Sequence, residues 1–237
     1  MGPNKKTAHL AGLLYFLVVI TGIFSLLYVP SQLIVWSNPA ETVENIKSSE
    51  SLFRLEILSG LLCYIFFLLL PWVLYKLFKE INKSYAVLMV VLAVISVPIS
   101  FISLTHKLDI LSLLSDAEYL TLYSPEQIQA QVMLALESYH HGNLVAQAFW
   151  GLWLFPFGYL VFRSGFLPKF LGVFLMVGSC GYFLDFAGRI AYSNYSELWL
   201  SDYITIPASI GEIGTCLWLL IMGIKTVVPI AKDAKAT

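Results

Sequence analysis

The chain has 237 residues, of which 58% are hydrophobic and only 12% are charged, and its formal net charge is −1. A soluble domain normally carries about 25% charged residues, so much of the apolar surface of this chain must face lipid. The nearly neutral charge argues against a nucleic-acid partner, because nucleic acids are bound by basic faces. The sequence therefore predicts an integral membrane protein whose first partner is the lipid bilayer.

The first apolar run follows Lys5 and Lys6 and covers residues 8–29. A basic start before an apolar run imitates a secretory signal peptide. The apolar part of such a peptide has only about 7–15 residues, and this run has about 20. No small-residue cleavage site follows it. We therefore predict a retained first membrane helix.

Six apolar runs are long enough to cross a bilayer core of about 30 Å, which takes about 20 helical residues. They are residues 9–28, 55–75, 85–106, 143–162, 170–190 and 204–224. The whole chain, residues 1–237, is therefore predicted to be one all-α domain: a polytopic membrane helix bundle with six transmembrane helices.

Two of the longer connections carry helix-start signals. Asn38 before Pro39 and Ser124 before Pro125 combine an N-cap residue with proline at the first helical position. The first signal predicts a short surface helix over residues 42–47. The second predicts a helix that leads into the fourth span, which we expect Gly142 to loosen or bend.

The positive charges indicate how the chain lies in the membrane. Ten of the fourteen Lys and Arg residues flank one set of helix ends. They are Lys5, Lys6, Lys76, Lys79, Lys83, Arg163, Lys169, Lys225, Lys232 and Lys235, and the exceptions are Lys47, Arg54, Lys107 and Arg189. Cytoplasmic loops are enriched in Lys and Arg, so both termini are expected in the cytoplasm.

One acidic residue lies deep in a span. Glu212 is thirteen residues before Lys225, which places it about 20 Å above the inner edge of the membrane. An unpaired carboxylate at that depth costs several kcal/mol, so a cation, a hydrogen bond or a proton must stabilise it. Arg54 and Arg189 are the expected partners, either in a functional site or in a buried structural pair.

Polar residues recur at helical spacing on five spans. The simplest packing turns these stripes inward around an outward-opening polar pocket with Glu212 at its floor. The candidate ligand-binding residues are Arg54, Glu56, His140, Gln147, Asp185, Arg189 and Glu212. The alternatives are structural: Asp185 and Arg189 form an ideal i,i+4 ion pair, boundary charges are ordinary interfacial residues, and serines on span three let helices approach closely.

No catalytic or nucleotide-binding signature occurs, and no cofactor is predicted. The three cysteines lie in apolar runs without metal-type spacing. His106, His140 and His141 are the candidate ligands of a less favoured metal site, since H-E-x-x-H and H-x-x-x-H patterns are absent. Glycines over residues 172–181 are better explained by close helix packing than by phosphate binding.

The favoured function is therefore non-enzymatic: binding, sensing or passage of a small polar or amphiphilic solute. Two alternatives stay open at this point. One is a metal-dependent intramembrane hydrolase that acts on lipid-like substrates, and the other is a structural or accessory membrane subunit. The sequence does not give the ligand or the oligomeric state.

Four segments carry a family resemblance. They are SLFRL (51–55), GYLVFRSGFLPKFLG (158–172), GYFLD (181–185) and GEIGTCLWLLIMG (211–223). Together they resemble the DUF4386 family of bacterial multi-pass membrane proteins, over nearly the whole chain. The resemblance implies a bacterial cytoplasmic (inner) membrane protein, with Arg54, Asp185 and Glu212 inside the motif segments. It implies no substrate or reaction.

Overall fold

In a computed structural model, the described residues are 4–192, 194–195 and 198–224, without the side chain of Asp202. That part of the chain is helical and contains no strand. The helices are α1 Lys5–Leu33, α2 Pro39–Ser48, α3 Glu50–Phe78, α4 Lys83–Leu113, α5 Pro125–Ser164, α6 Lys169–Ala191 and α7 Trp199–Met222. All except α2 are long and apolar enough to cross a membrane. The predicted all-α fold with six membrane-spanning helices is confirmed.

Two of these helices change their winding. The π-helical stretch Ile23–Tyr28 lies within α1, and α7 ends in a π-helical stretch, Trp218–Met222. A turn at residues 204–205 also interrupts α7. Short π-helical stretches often mark functional sites. The stretch in α1 lies beside the cavity described below.

The predicted helix starts in the connections are confirmed. The Asn38 side chain accepts a hydrogen bond from the Glu41 amide, and Pro39 is the first residue of α2. Ser124 and Gln127 form a reciprocal capping box at the start of α5. Each cap satisfies amide groups that have no partner within the helix.

The six long helices are antiparallel neighbours, so alternate helix ends lie together. Phe78 stacks on Phe166 with 5.6 Å between ring centroids, and His9 Nδ1 lies 2.9 Å from the Leu220 carbonyl oxygen. We call this end the lysine-rich end. It carries Lys5, Lys6, Lys76, Lys79, Lys83, Arg163 and Lys169. Lys225, Lys232 and Lys235 lie outside the described residues, and the cytoplasmic orientation of this end stays a prediction.

The 40-residue helix α5 is about 60 Å long, twice the thickness of a bilayer core. Its C-terminal half packs in the main core of the bundle, where Trp153 and Phe157 are fully buried. Its N-terminal half contributes Val132 and Leu136 to a second apolar cluster with Ile46 of α2. The structure thus has a small additional layer at the end opposite the lysine-rich end.

Helix α5 continues through Gly142 without interruption. A Cβ atom at this position would lie 2.0 Å from Ser103 Oγ, so the glycine lets α4 and α5 approach closely. Ser96, Ser100 and Ser103 are buried, and their hydroxyls donate to carbonyl groups of their own helix. Ser103 thus lies where two helices approach closely, as the alternative interpretation of the sequence expected for the serines of this span.

Candidate functional site

Glu212 lies on α7 and faces α1. The phenol of Tyr15 donates a hydrogen bond to it, with 3.0 Å between Oη and Oε1, and Tyr15 is only 2% exposed. In the part of the chain that the structure describes, Glu212 forms no ion pair, and Tyr15 is its only side-chain hydrogen-bond donor. A carboxylate between membrane helices is thus held by one phenol and no cation.

The two arginines that we expected to stabilise Glu212 have other partners. Arg54 forms an exposed ion pair with Glu50, with 2.6 Å between Nε and Oε1. Arg189 forms an ion pair with Asp185 at 2.9 Å. The predicted pairing of Glu212 with Arg54 or Arg189 is therefore wrong. Each arginine instead pairs with a carboxylate four residues earlier on its own helix.

The contact between Tyr15 and Glu212 depends on a close approach of α1 to α7. A Cβ atom at Gly12 would lie 2.3 Å from the backbone nitrogen of Leu220. Only glycine allows this distance between the two backbones. Because Tyr15 lies one turn after Gly12, its phenol is brought to the carboxylate on the facing helix.

A cavity of about 400 Å³ extends from Glu212 between α1, α3, α5, α6 and α7. Its wall is mostly apolar, and Glu212 is the only charged residue in it among those that the structure describes. The lining residues are Tyr15, Val18, Val19, Gly22, Ile23, Leu26, Leu27, Cys63, Tyr64, Phe67, Trp150, Trp153, Tyr182, Ser209, Glu212 and Ile213. The carboxylate therefore faces an apolar space that is large enough for a small molecule.

Exposed apolar side chains of α1 and α7 form part of the cavity wall. Ile23 is 49% exposed, Leu27 65% and Ile213 43%. The two helices touch at Gly12 and Leu220, near the lysine-rich end, and the cavity lies between them farther along. Its lining thus continues onto the lateral surface of the bundle.

A second cavity of about 260 Å³ adjoins the first and contains three of the predicted site residues. Asp185 is 2% exposed, and its Oδ2 accepts hydrogen bonds from Gln147 Nε2 at 2.7 Å and from Arg189 Nε at 2.9 Å. The local Asp185–Arg189 pair expected from the sequence is confirmed. Trp150 and Tyr182 line both cavities and separate them.

Tyr195 packs beside the Asp185–Arg189 ion pair. The Arg189 guanidinium lies 5.8 Å from the centre of its ring, and a Cβ atom at Gly188 would collide with the same ring. Burial and the neighbouring Asp185 carboxylate raise the pKa of Tyr195. Its phenol therefore stays protonated and able to donate a hydrogen bond at neutral pH.

Glu56 lies in neither cavity and belongs to a separate cluster of buried polar residues. It is 1% exposed and forms an ion pair with Lys107 of α4, which is also 1% exposed. The Lys107 ammonium lies 4.0 Å from the centre of the Tyr139 ring. This group joins α3, α4 and α5 and has the burial expected of a structural ion pair rather than of an interfacial charge.

The rings of His140 and His141 lie 6.4 Å apart, but in the described part of the chain they belong to no group of three possible metal ligands. His140 and His141 are both exposed, and the His140 ring packs edge-on to Trp36 at 6.4 Å. His106 Nδ1 lies 3.4 Å from Asp109 of its own helix. Within residues 4–192, 194–195 and 198–224, no three His, Cys, Asp or Glu side chains form a group that could hold a metal ion.

The seven candidate site residues therefore do not form one site. Glu212 lies in one cavity, Gln147, Asp185 and Arg189 lie in the adjoining one, and the other three lie elsewhere. Sequence reasoning missed Tyr15 and Lys107. A signal for Tyr15 existed, since it lies nine residues after Lys6, about 14 Å along the helix and so within about one helical turn of the depth expected for Glu212.

The fold and its buried polar groups define an all-α, multi-pass membrane protein. The chain belongs to the DUF4386 family, described as a domain of unknown function, whose family model matches residues 10–223. It is also similar to an uncharacterized protein of Archaeoglobus fulgidus, with 35% identity over 78 residues. That alignment covers 32% of this chain and 43% of the relative, so the chain spans less than half of the relative's length. No solved structure matches the chain.

Proposed function

We propose that this protein binds a small amphiphilic solute in the Glu212 cavity, in order to sense it or pass it across the membrane. The observation that carries the proposal is an apolar cavity of about 400 Å³ in which the carboxylate of Glu212 has no cationic partner among the described residues. Small-molecule sites typically measure about 300–1,000 Å³ and are mostly apolar, with a few polar groups that orient the ligand.

Comparison with Glu56 and Asp185, the two buried carboxylates among the described residues, supports a ligand-binding role. Glu56 is neutralised by Lys107, and Asp185 by Arg189. Buried charges in proteins are paired unless function requires otherwise, because desolvation of an isolated charge is costly. Glu212 departs from this pattern at the position where space for a ligand exists.

The exposed part of the cavity wall supports entry from the bilayer. Ile23, Leu27 and Ile213 would contact acyl chains in a membrane-embedded bundle. An amphiphile already dissolved in the membrane can approach between α1 and α7 without crossing a polar barrier. The proposal places Glu212 in the outer half of a bacterial cytoplasmic membrane, with both termini in the cytoplasm, as the Lys and Arg distribution indicates.

The cavity can be tested by filling it. Val19 lines the cavity, whereas Val87 of α4 is 43% exposed and does not line it. We expect saturable binding of an amphiphile such as 4-phenylbutylamine, 4-phenylbutanol or 4-phenylbutanoate to the wild-type protein in lipid nanodiscs. Val19→Phe should weaken that binding at least about tenfold, since one ring fills much of the space beside Glu212.

Val87→Phe is the matched control and should leave affinity unchanged. The proposed function is contradicted if Val19→Phe and Val87→Phe bind the probes with equal affinity. It is also contradicted if none of the three probes binds saturably to wild type. In that case the polar groups only hold the helices together, as expected of a structural or accessory subunit.

A further inference from the structure

We infer that the solute of the Glu212 cavity is a lipophilic organic cation, such as an amine with an apolar body of ten or so carbon atoms. This inference rests on the proposed function and adds the charge of the ligand to it. Its basis is the combination of one uncompensated carboxylate, an aromatic wall and an apolar route to the lateral surface of the bundle.

Charge is the first argument. In its ionised form, Glu212 contributes −1 to the first cavity among the described side chains, while Asp185 and Arg189 cancel in the second. With Glu212 ionised, the two spaces together carry one negative charge that no cation of the described residues neutralises, and a bound cation would favour this ionised form. An ammonium group placed beside Glu212 would form a charge-assisted hydrogen bond in an apolar environment, where such bonds are strongest.

The hydrogen-bonding pattern of Glu212 agrees with this. Tyr15 donates to Oε1, and no described residue donates to Oε2. The second oxygen can therefore accept from a ligand without loss of the Tyr15 contact. A ligand ammonium carries the donors and the positive charge that the protein itself does not provide there.

In the described part of the chain, six aromatic side chains line the same cavity. They are Tyr15, Tyr64, Phe67, Trp150, Trp153 and Tyr182. Aromatic rings attract organic cations through their quadrupoles, and this attraction is strongest when the contact is desolvated. An aromatic enclosure with one carboxylate is the arrangement that suits an alkylammonium group, whose charge is spread over an apolar surface.

Other ligand classes fit the cavity less well. An anionic amphiphile would place its charge beside Glu212 at a cost, because like charges repel strongly in an apolar space. A divalent metal ion takes about six oxygen ligands, and the oxygen-bearing side chains in the lining are those of Tyr15, Tyr64, Tyr182, Ser209 and Glu212. Four of these five are neutral hydroxyl groups, which are weak ligands for such an ion.

The experiment compares three probes with one tail and three head groups: 4-phenylbutylamine, 4-phenylbutanol and 4-phenylbutanoate. Affinities are measured on the purified full chain in nanodiscs at pH 7.5. We expect wild type to bind the amine about tenfold or more tighter than the alcohol, because a hydrogen bond between two charged groups is stronger than one to a neutral hydroxyl. The carboxylate should bind weakest.

Glu212→Gln should lower the affinity for the amine to that for the alcohol and change alcohol binding by less than about twofold. Retained alcohol binding shows that the variant is folded and its cavity intact. Glu212→Asp keeps the charge and should retain most of the preference for the amine. Glu44→Gln removes an exposed carboxylate of α2 and serves as the matched control.

Two results would separate the failure of this inference from the failure of the proposed function. Equal binding of amine and alcohol to wild type, or an amine preference that survives in Glu212→Gln, overturns the cationic ligand alone. Absence of saturable binding by all three probes overturns both. A preference for 4-phenylbutanoate would overturn the inference and point to Arg189 as the anchoring charge.

Discussion

The phenol of Tyr15 and the carboxylate of Glu212 are 197 positions apart in sequence and meet with 3.0 Å between Oη and Oε1. This contact connects the first and last membrane-spanning helices at the base of the cavity. It also supplies the only side-chain hydrogen bond to Glu212 among the described residues. A half-buried carboxylate with one neutral donor is sensitive to any change at that donor.

We therefore expect Tyr15→Phe to destabilise the protein by about 1–3 kcal/mol, because it removes a hydrogen bond to a half-buried carboxylate. The substitution keeps the aromatic ring, so packing against Trp153 is retained. Unfolding of the purified protein by a graded series of denaturing detergent concentrations measures the change. Tyr28→Phe is the control, because Tyr28 lies on the same helix and is 53% exposed. Equal effects of the two substitutions would contradict the role given to the Tyr15 phenol.

Gly12 is expected to be intolerant of any side chain. Gly12→Ala would place a methyl group against the backbone of Leu220, which cannot move aside like a flexible side chain. Overpacking of this kind costs about 1–3 kcal/mol, and it should also weaken amine binding by separating Tyr15 from Glu212. Gly22→Ala on the same helix meets only Cys63 Sγ at 3.4 Å and should change stability by less than about 1 kcal/mol. If both variants were equally stable, close approach of α1 and α7 would not be the constraint.

Features that depend on local sequence were predictable. The six spans follow from the length and hydropathy of the apolar runs, and the helix starts at Pro39 and Pro125 follow from capping chemistry. The Asp185–Arg189 pair follows from i,i+4 spacing. The same rule applied to Glu50 and Arg54 would have shown that this arginine was already paired.

Contacts between helices were not predictable in the same way. The partners of Glu56 and Glu212 depend on which helices are neighbours and on how each is rotated about its axis. Contacts such as that between Gly12 and Leu220 help to set these rotations, and only the folded chain reveals them. The sequence thus indicated that Glu212 needs a partner, but neither Tyr15 nor the apolar character of the cavity wall.

The ion pair between Glu56 and Lys107 should be structural. Lys107→Met leaves a buried carboxylate without its cation, and breaking such a pair typically costs about 3–5 kcal/mol. The double variant Glu56→Leu/Lys107→Met removes both charges and should be more stable than Lys107→Met alone. The same detergent unfolding series measures all variants, with Lys47→Met at an exposed position as the control. A double variant that is less stable than either single variant would contradict this assignment.

The orientation in the membrane can be measured by cysteine labelling. In a background without Cys63, Cys180 and Cys216, single cysteines replace Glu44 on α2 and Ser84 at the lysine-rich end, both of which are exposed. In intact cells, a membrane-impermeant maleimide should label Glu44→Cys, and it should label Ser84→Cys only after lysis. This result is expected because Lys-rich and Arg-rich ends stay in the cytoplasm. The reverse labelling pattern would show the opposite topology.

The binding site itself can be located with a heavy atom on the ligand. We would determine the structure of the full chain with 4-(4-bromophenyl)butylamine and map bromine by anomalous scattering. The account predicts a bromine peak among the apolar residues that line the cavity between α1 and α7, with the ligand nitrogen within hydrogen-bonding distance of Glu212. A saturable ligand whose bromine lies outside that cavity, with Glu212 contacting Tyr15 alone, would contradict it.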